Sequence, residues 1–580
     1  MADTVNLKIN SVPVSVPPGT TVLEAARQIG VEIPTLCYMK DISEIGACRI
    51  CVVDVKGART HVASCVYPVA EGMEVRTHTP DIIRSRTRTL ELILSNHRMD
   101  CLTCLRNQNC ELQKLAADFG IQETRFPSDA HEPQIEDSAV HLVRDNSKCV
   151  LCRRCSAVCK HNQSVGVIGP AARGFDTHIA CAYGRDLGEV ACVSCGQCIT
   201  VCPTGALTES CQTDEVWSAL ADPKKHVVVG VAPSIRVTLG ECFGLPVGAN
   251  VEGQMVSALR LLGFNGVFDI DAAADLTIME EGTEFMKRLT GGGPLPLITS
   301  CSPGWVRFCE QYFPEFLPNV SSCKSPQQMF GALMKTYYAE KYNLAPEDVF
   351  VVGIMPCTAK KYEIRRGDWA VEGLPDVDVA LTTRELSRMI SRAGIMFRSL
   401  PSSAFDAAFG VASGAGLIFG ATGGVMEAAL RTVSSLAEGK PPASLDFTEV
   451  RGTAGVKEAS YTIRGRSVRV AACSGLANAR KVLQSVKDGS ARYDFIEIMC
   501  CPGGCVGGGG QPVQPQSLKN FSDLRALRAA ALYKSDADMP LRLSHESPLI
   551  KQLYREFLQK PGSPEAHKIL HTHIEKGEAV

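Results

Sequence analysis

Cysteine placement constrains this chain more than any other feature of its sequence. The chain carries 26 cysteines among 580 residues, and many fall in tight groups separated by two or three residues. The first residues lack the basic-then-apolar pattern of a secretion signal, so we expect a cytosolic protein whose thiols stay reduced. Closely spaced reduced thiols indicate metal binding. Because the groups are numerous and histidine partners are almost absent from them, iron–sulfur clusters are favoured over zinc.

The most specific pattern is a doubled run of cysteines. Residues 149–159 and 192–202 each read Cys-x2-Cys-x2-Cys-x3-Cys, and Pro203 follows the second run. This is the run of bacterial-type ferredoxins with two 4Fe–4S clusters, in which the fourth cysteine of each run binds the other cluster. We therefore predict a ferredoxin domain over residues 140–212. The two expected ligand sets are Cys149, Cys152, Cys155 and Cys202, and Cys159, Cys192, Cys195 and Cys198.

Residues 1–80 are predicted to form a separate small domain. Alternating residues predict strands over Val5–Ile9 and Val12–Val16, and a helix follows over Thr21–Ile29 with Thr20 or Thr21 as its cap. The downstream cysteines resemble those of a plant-type 2Fe–2S ferredoxin domain, although the first gap is longer than usual. The competing interpretation is a set of buried structural cysteines. The expected ligands are Cys37, Cys48, Cys51 and Cys65.

Residues 81–126 carry one histidine and three cysteines between two predicted helices. The spacing is His97-x3-Cys101-x2-Cys104-x5-Cys110, which by itself allows either zinc or a 4Fe–4S cluster. After a 2Fe–2S domain, this run resembles the matching region of iron–iron hydrogenases and of the large iron–sulfur subunit of respiratory complex I. That context favours a third accessory 4Fe–4S cluster. The polar stretch over residues 127–138 is predicted to be a linker.

The rest of the chain, residues 222–580, has the pattern of an α/β domain. Buried apolar segments alternate with helical segments, which predicts mostly parallel sheets covered on both faces. We expect a multidomain α+β protein, in which N-terminal ferredoxin-type domains precede a two-lobed α/β catalytic domain. The formal net charge of −2 argues against nucleic acid as a partner, and the lack of a long apolar run argues against a membrane.

Three segments of this last domain carry a resemblance to one family. They read TSCSPGW at residues 299–305, MPCTAKKYE at 355–363 and EIMCCPGGCVGGGGQP at 497–512, and the small residues of the third let backbone approach a bulky group. They resemble the signature segments of iron–iron hydrogenases, and the likeness extends over essentially the whole chain. It implies an H-cluster, which is a 4Fe–4S cubane joined through a cysteine to a diiron unit with CO, cyanide and a dithiolate amine.

The resemblance implies roles for residues around this cluster. The implied cubane ligands are Cys357, Cys501 and Cys505, the last of which bridges to the diiron unit. The residues implied to contact the cyanide and CO ligands are Lys360, Pro233, Ser234 and Gln327. The residues implied to wall a dry pocket are Met355, Met499 and Phe419. Without the resemblance, the methionines read as ordinary core residues and the lysine as a solvated surface residue.

A buried metal centre also needs a route for protons. The resemblance implies a relay through Cys301, Glu281, Ser321 and Glu284. The i, i+3 spacing of the two glutamates puts both on one side of a predicted helix. Without the resemblance, these carboxylates read as a solvated acidic face.

The first segment departs from the family pattern. The family usually has two adjacent cysteines there, the earlier as proton carrier and the later as the fourth cubane ligand, whereas this chain has Cys301 followed by Ser302. One alternative is that Ser302 binds iron through its oxygen. The other is that Cys301 becomes the ligand and Ser302 a weaker proton carrier, since thiolate is the better iron ligand at neutral pH. The sequence leaves both open.

The resemblance implies an enzyme that reversibly converts protons and electrons to H2 at a buried H-cluster fed by one 2Fe–2S and three accessory 4Fe–4S clusters. The expected electron partners are a ferredoxin or partner subunits that bind flavin or NAD(P). An alternative is an H2-sensing or electron-transfer subunit with weak or no turnover, which the lost cysteine would favour. A hydrogenase-like iron–sulfur assembly factor fits less well, because it predicts neither a diiron pocket nor a long cluster relay.

Overall fold

The computed structural model describes residues 4–126, 132, 134–409 and 412–572. The elements of the N-terminal domain are β1 (Val5–Ile9), β2 (Val12–Val16), α1 (Val22–Gln28), β3 (Val52–Val55), β4 (Val62–Ala63) and β5 (Glu74–Arg76). Its five-stranded sheet has the order β2-β1-β5-β3-β4. The Thr21 hydroxyl accepts a hydrogen bond from the Glu24 amide and caps α1. The cysteine loop between α1 and β3 is therefore held against one small core.

Two further helices and a ferredoxin domain follow. Their elements are α2 (Pro80–Ser95), α3 (Glu111–Asp118), β6 (Ile135–Glu136), β7 (Leu142–Asp145), α4 (Arg154–His161), β8 (Ile168–Ala171), β9 (His178–Cys181), α5 (Gln197–Val201), β10 (Leu207–Glu209) and α6 (Thr213–Ala221). The strands form a three-stranded sheet, β10-β7-β6, and the hairpin β8-β9. Each cysteine run continues into a short helix, α4 or α5, and these two helices pack on each other.

The catalytic region contains two four-stranded sheets. Its strands are β11 (His226–Val231), β12 (Gly266–Asp269), β13 (Leu297–Ile298), β14 (Val349–Met355), β15 (Val379–Thr382), β16 (Val456–Ile463), β17 (Arg466–Ser474) and β18 (Phe495–Met499). The first sheet, β12-β11-β14-β15, is wholly parallel. The second, β13-β18-β17-β16, is parallel except for the β16–β17 hairpin at its edge.

Helices cover these sheets. They are α7 (Glu252–Leu262), α8 (Asp271–Lys287), α9 (Pro303–Tyr312), α10 (Pro326–Leu333), α11 (Ala339–Lys341), α12 (Ala359–Glu363), α13 (Thr383–Arg392), α14 (Gly414–Leu417), α15 (Gly424–Glu438), α16 (Leu476–Lys487), α17 (Gln516–Lys519), α18 (Leu524–Asp538), α19 (Pro548–Leu553) and α20 (Pro564–Leu570). The three signature segments begin at the carboxyl ends of β13, β14 and β18. In α/β folds these ends commonly form the ligand site.

The strand predictions at residues 5–9 and 12–16 are confirmed, as is the two-lobed, mostly parallel catalytic domain. The linker prediction is wrong in part, because Ile135 and Glu136 form β6 and pair with β7. Residues 127–131 and 133 of that stretch lie outside the described residues. In the part of the chain that the structure describes, no helix is long and apolar enough to cross a membrane.

Candidate active site and metal centres

The cysteines of the N-terminal domain form two close pairs. The Sγ atoms of Cys51 and Cys65 are 3.3 Å apart, and Cys37 and Cys48 are also hydrogen-bonding neighbours. Two thiolates on one tetrahedral metal with bonds of about 2.3 Å lie roughly 3.7 Å apart. The pairing therefore fits the two irons of a 2Fe–2S cluster.

His97 lies in the interior, next to the cysteine-bearing segment between α2 and α3. It is 7% exposed, and its Nδ1 atom has no hydrogen-bond partner among the described residues. Burial lowers the pKa of His97 to about 4, so the imidazole is neutral and free to bind a metal. An added Cβ on Gly205 would lie 2.6 Å from Cys104 Sγ, so this segment packs tightly on the ferredoxin domain.

Two cavities in the ferredoxin domain gather the predicted ligand sets. A cavity of about 370 Å³ is lined by Cys149, Cys152, Cys155 and Cys202. A second, of about 510 Å³, is lined by Cys159, Cys192, Cys195 and Cys198. The fourth cysteine of each run thus joins the cavity of the other run. Within the described ranges, no three His, Cys, Asp or Glu side chains lie close enough to hold a single metal ion.

The second of these cavities lies directly against the signature segments. Thr358 Oγ1 donates to Ser194 O at 2.8 Å, and Gln197 Nε2 donates to Gly507 O at 2.9 Å. An added Cβ on Gly509 would lie 2.1 Å from Cys195 O. The glycine-rich turn was predicted to approach a bulky group, and here its close neighbour is the backbone of the ferredoxin domain. This contact puts Cys195 and the other cysteines of its cavity next to the signature segments.

The three signature segments enclose one cavity between the two lobes. It contains about 740 Å³ and is lined by Cys301, Ser302, Cys357, Cys501 and Cys505, together with Pro233, Gln327, Met355, Lys360, Phe419, Met499 and Cys500. Ser234 is fully buried but does not line the cavity; its hydroxyl accepts a hydrogen bond from Gln511 Nε2 at 3.1 Å. The other residues implied by the resemblance meet at this cavity or lie beside it.

The donor set of this cavity fits an iron–sulfur group. Burial raises the pKa values of Cys357 and Cys505, the latter to about 12, so thiolates form here only beside a cation. Gln327 Oε1 is buried and makes no hydrogen bond within the described residues. Met355 and Met499 keep the wall apolar. The cavity therefore offers thiol ligands, a free polar atom and a dry surround, as an H-cluster requires.

Lys360 is buried, so the surface interpretation is wrong. Its Nζ atom lies 2.9 Å from Glu363 Oε2 and donates to Cys301 O at 3.3 Å. Glu363 also accepts hydrogen bonds from Gln327 Nε2 (3.1 Å) and Ser325 Oγ (3.0 Å). No sequence motif or family resemblance had indicated a role for Glu363. Its position three residues after Lys360 could have indicated this ion pair, because residues i and i+3 are neighbours on a helix such as α12.

A second glutamate with no role indicated by the sequence is Glu497. Its carboxylate oxygens accept hydrogen bonds from the amides of Gly423 (2.6 Å) and Met426 (2.7 Å). These amides belong to the first turn of α15, where unpaired N–H groups favour an anion. Glu497 therefore fixes α15, and the Phe419 turn before it, to the end of β18.

The relay residues lie together between the cavity and the outer face of α8. Glu281 is 1% exposed, and neither of its carboxylate oxygens makes a hydrogen bond within the described ranges. Burial and the neighbouring Glu284 raise the pKa of Glu281 to about 8. Ser321 Oγ donates to Glu284 Oε2 at 2.8 Å, and Glu284 also pairs with Arg288 at 2.5 Å. The solvated-face interpretation is wrong for Glu281.

Cys301 and Ser302 face different neighbours. Cys301 packs in the core that contains Phe419 and Met499, and burial together with Glu281 raises its pKa. Ser302 instead accepts a hydrogen bond from the Cys500 amide at 3.1 Å, on the side of the glycine-rich turn. The thiol thus borders the relay, and the hydroxyl borders the loop that carries Cys501 and Cys505.

These features define an iron–sulfur redox enzyme in which accessory cysteine cavities lead to one buried catalytic cavity. Comparison with known families identifies the family within this class. Residues 225–509 match the iron only hydrogenase large subunit, C-terminal domain, and residues 522–576 match the iron hydrogenase small subunit. Residues 2–80 match a 2Fe-2S iron-sulfur cluster binding domain, 86–125 the NADH-ubiquinone oxidoreductase-G iron-sulfur binding region, and 189–208 a 4Fe-4S binding domain.

Individual relatives of this chain are hydrogenases as well. The chain is 45% identical to the NADP-reducing hydrogenase subunit HndD of Solidesulfovibrio fructosivorans, over 99% of each chain. It is 40% identical to iron hydrogenase 1 of Clostridium pasteurianum, over 98% of this chain and 99% of that one. A solved structure of a variant of apo FeFe-hydrogenase HydA1 from Chlamydomonas reinhardtii shares 42% identity with a TM-score of 0.57, covering 63% of this chain and 99% of that chain.

The chain therefore belongs to the iron-only hydrogenase family. It is an enzyme that interconverts H2 with protons and electrons at an H-cluster domain, to which iron–sulfur domains supply the electrons.

Proposed function

We propose that the 740 Å³ cavity holds the H-cluster, with Cys357, Cys501, Cys505 and Ser302 around the cubane and Cys505 as the bridge to the diiron unit. The observation that carries this proposal is the convergence of all three signature segments on one dry cavity beside Cys195. When bound, the H-cluster supplies the metal and the bridging base at which H2 is made or split. The protein's part is to orient that group, exclude water and move protons.

In this proposal Cys301 receives or delivers the proton at its Sγ atom. Glu281 carries the proton onward, because its pKa, raised to about 8, keeps the carboxyl mostly protonated at neutral pH and still able to release that proton. Ser321 and Glu284 then complete the path, with Arg288 holding Glu284 at its outer end. Lys360 is oriented by Glu363 and offers its ammonium group to an anionic ligand in the cavity.

The different neighbours of Cys301 and Ser302 favour Ser302 as the fourth ligand. Cys301 borders Glu281, as a proton carrier must, whereas Ser302 lies against the loop of Cys501. An alkoxide oxygen is a harder donor than thiolate and lowers the reduction potential of the cubane. The alternative, Cys301 as ligand, would remove the thiol from the head of the relay.

The accessory groups are proposed to be one 2Fe–2S cluster and three 4Fe–4S clusters, the third of which is held by His97, Cys101, Cys104 and Cys110. The relative HndD is described as a subunit of an NADP-reducing hydrogenase. We propose that this chain likewise works in the cytoplasm with partner subunits that bind flavin or NAD(P), and a soluble ferredoxin is the alternative partner. Electrons would enter through the N-terminal domains.

Infrared spectroscopy of the matured chain tests the proposal. We expect CO and cyanide stretching bands together with H2 evolution from a reduced dye. A chain with iron–sulfur clusters that is silent in both measurements would instead be the electron-transfer subunit of the alternative reading. The isolated chain should not use NADPH directly, and activity with NADPH should appear only with partner subunits.

A further inference from the structure

One buried arginine of the ferredoxin domain lines both of its cysteine cavities. Arg144 lies on β7, the central strand of the sheet β10-β7-β6. Arg144 and Leu207, its neighbour on β10, are the residues that the two cavities have in common. Leu142, two residues earlier on β7, belongs to the core that contains the cluster cysteines, so Arg144 faces the same side of the sheet. Arg144 is therefore a neighbour of both proposed clusters.

The charge of this arginine is incompletely neutralised by the protein. The side chain is 7% exposed, and neither Nε nor Nη1 makes a hydrogen bond within the described residues. Its Nη2 atom lies 3.5 Å from Oε2 of Glu136, which is its cross-strand neighbour on β6. Arginine keeps its proton in proteins, so the charge is permanent. A buried cation with unpaired N–H groups is costly unless an anionic group lies beside it.

A 4Fe–4S cluster held by four thiolates is such an anionic group. It gains a further negative charge on reduction, so a nearby cation stabilises the reduced form more than the oxidised form and raises the reduction potential. The effect is strongest for a buried cation, because water and salt screen exposed charges. Arg153 also lines the first cavity but is exposed, and it does not line the second. Arg144 is thus the buried cation that the two cavities share.

We propose that Arg144 tunes the electron relay as a buried cation shared by the two ferredoxin clusters, and that it raises both of their reduction potentials. The proposal rests on the two proposed ligand sets of this domain. Because one charge acts on both clusters, both become easier to reduce together and the difference between their potentials changes little. Glu136 weakens the effect, since its carboxylate partly neutralises the guanidinium group.

The test compares Arg144→Met and Arg144→Lys in the full, cluster-loaded chain. Redox titration followed by electron paramagnetic resonance gives the cluster potentials, and iron analysis gives the cluster content. Cys152→Ser and Cys195→Ser, each of which should alter one cluster, assign the two ferredoxin signals. For Arg144→Met we expect the reduced-to-oxidised ratio of both clusters to be about three- to tenfold lower at a given potential, where tenfold equals about 59 mV for one electron. Arg144→Lys keeps the charge and should stay within about twofold of the wild type.

Glu136→Gln should move the potentials in the opposite direction. The substitution removes the partly neutralising charge but keeps an Oε1 atom, which in the wild type accepts hydrogen bonds from Ser138 and the Leu187 amide. Both reduced-to-oxidised ratios should rise by about two- to threefold. This variant leaves the buried arginine in place, so it decides the question even if Arg144→Met fails to load its clusters.

Arg153→Met is the matched control, because Arg153 is exposed and lines the first cavity alone. It should change the ratio of the first cluster by less than about twofold and leave the second unchanged. The proposal is overturned if Arg144→Met shifts one cluster or neither, if Arg144→Lys shifts both as far as Arg144→Met does, or if Glu136→Gln does not raise them. A wild-type chain without two ferredoxin signals would instead refute the ligand sets. These readouts are independent of H2 turnover, which the infrared test addresses separately.

Discussion

The carboxyl group of Glu281 offers the sharpest test of the relay, through the change Glu281→Gln. Its pKa is raised from 4.5 to about 8 by burial and by Glu284. A group with a raised folded-state pKa of this kind holds its proton in the folded protein while the unfolded chain releases it. The free energy of unfolding therefore falls as pH rises from about 4.5 to about 8. At about 1.4 kcal/mol per pH unit, the loss at pH 7 is about 3 kcal/mol.

Glutamine has the same shape but does not titrate. The substitution therefore removes both the pH-dependent loss of stability and the proton carrier. Relative to the wild type, Glu281→Gln should gain stability progressively between pH 5 and pH 8, by up to about 3 kcal/mol at pH 7. Its turnover in H2 evolution should fall by about 10²- to 10⁴-fold, the usual worth of a positioned acid–base group. Iron content and the infrared bands should be unchanged. The assays are dye-driven H2 evolution and parallel denaturation midpoints of cluster-loaded protein.

The neighbouring Glu280 supplies a matched control on the same helix. Its carboxylate accepts hydrogen bonds from Tyr554 (2.5 Å) and the Gly562 amide (2.9 Å) and pairs with His571 at 3.0 Å. Glu280→Gln should therefore keep turnover and lose stability, the reverse of the Glu281 pattern. Turnover above about half of wild type in Glu281→Gln, or a stability difference that does not grow with pH, would refute this account of Glu281.

Three further outcomes are expected. Cys301→Ala should keep the cubane but lose most H2 turnover, whereas Ser302→Ala should lower cubane content; an intact cubane in Ser302→Ala, measured by iron analysis and paramagnetic resonance, would contradict oxygen ligation. His97→Ala should remove the spectral signal of one accessory cluster and slow electron delivery from the N-terminal side, while turnover with a dye that reaches the catalytic domain persists; an unchanged cluster signal would show that His97 is no ligand. Arg431 is fully buried and bonds Asp536 at 2.8 Å and Glu427 at 2.7 Å. Because Asp536 keeps Arg542 and Glu427 keeps Arg451, Arg431→Met should cost roughly 1–3 kcal/mol, less than the loss of a sole buried partner. Equal denaturation midpoints for Arg431→Met and wild type would refute that estimate.

Much of the candidate site could be predicted from sequence because cluster ligands are local. Cysteines that surround one small inorganic core must follow each other at short gaps, as Cys149, Cys152 and Cys155 do, and that spacing can be read directly from the sequence. The strands of the N-terminal sheet and the buried strand β11 were likewise predictable, because alternation or a continuous apolar run reports how many faces of a strand are buried.

Other properties depended on segments far apart in the chain. Without the family resemblance Lys360 read as a surface residue, and the fold shows it buried against Glu363 and the Cys301 carbonyl. The glycines near residue 509 fit the backbone of Cys195, a contact that spans more than half of the chain. No local pattern encodes such a meeting, because it is set by how the ferredoxin domain docks between the two lobes.

The sequence by itself determined the class of chemistry: an iron–sulfur enzyme of the iron-only hydrogenase family, with predicted ligands in grouped cysteines and three signature segments. Only the tertiary structure decided what surrounds each of those groups. It placed Cys301 by Glu281 and Ser302 by the glycine-rich turn. The physical reason is that ligand identity follows from side-chain type and spacing, whereas burial, pKa and electron paths follow from distances between residues that the chain itself does not connect.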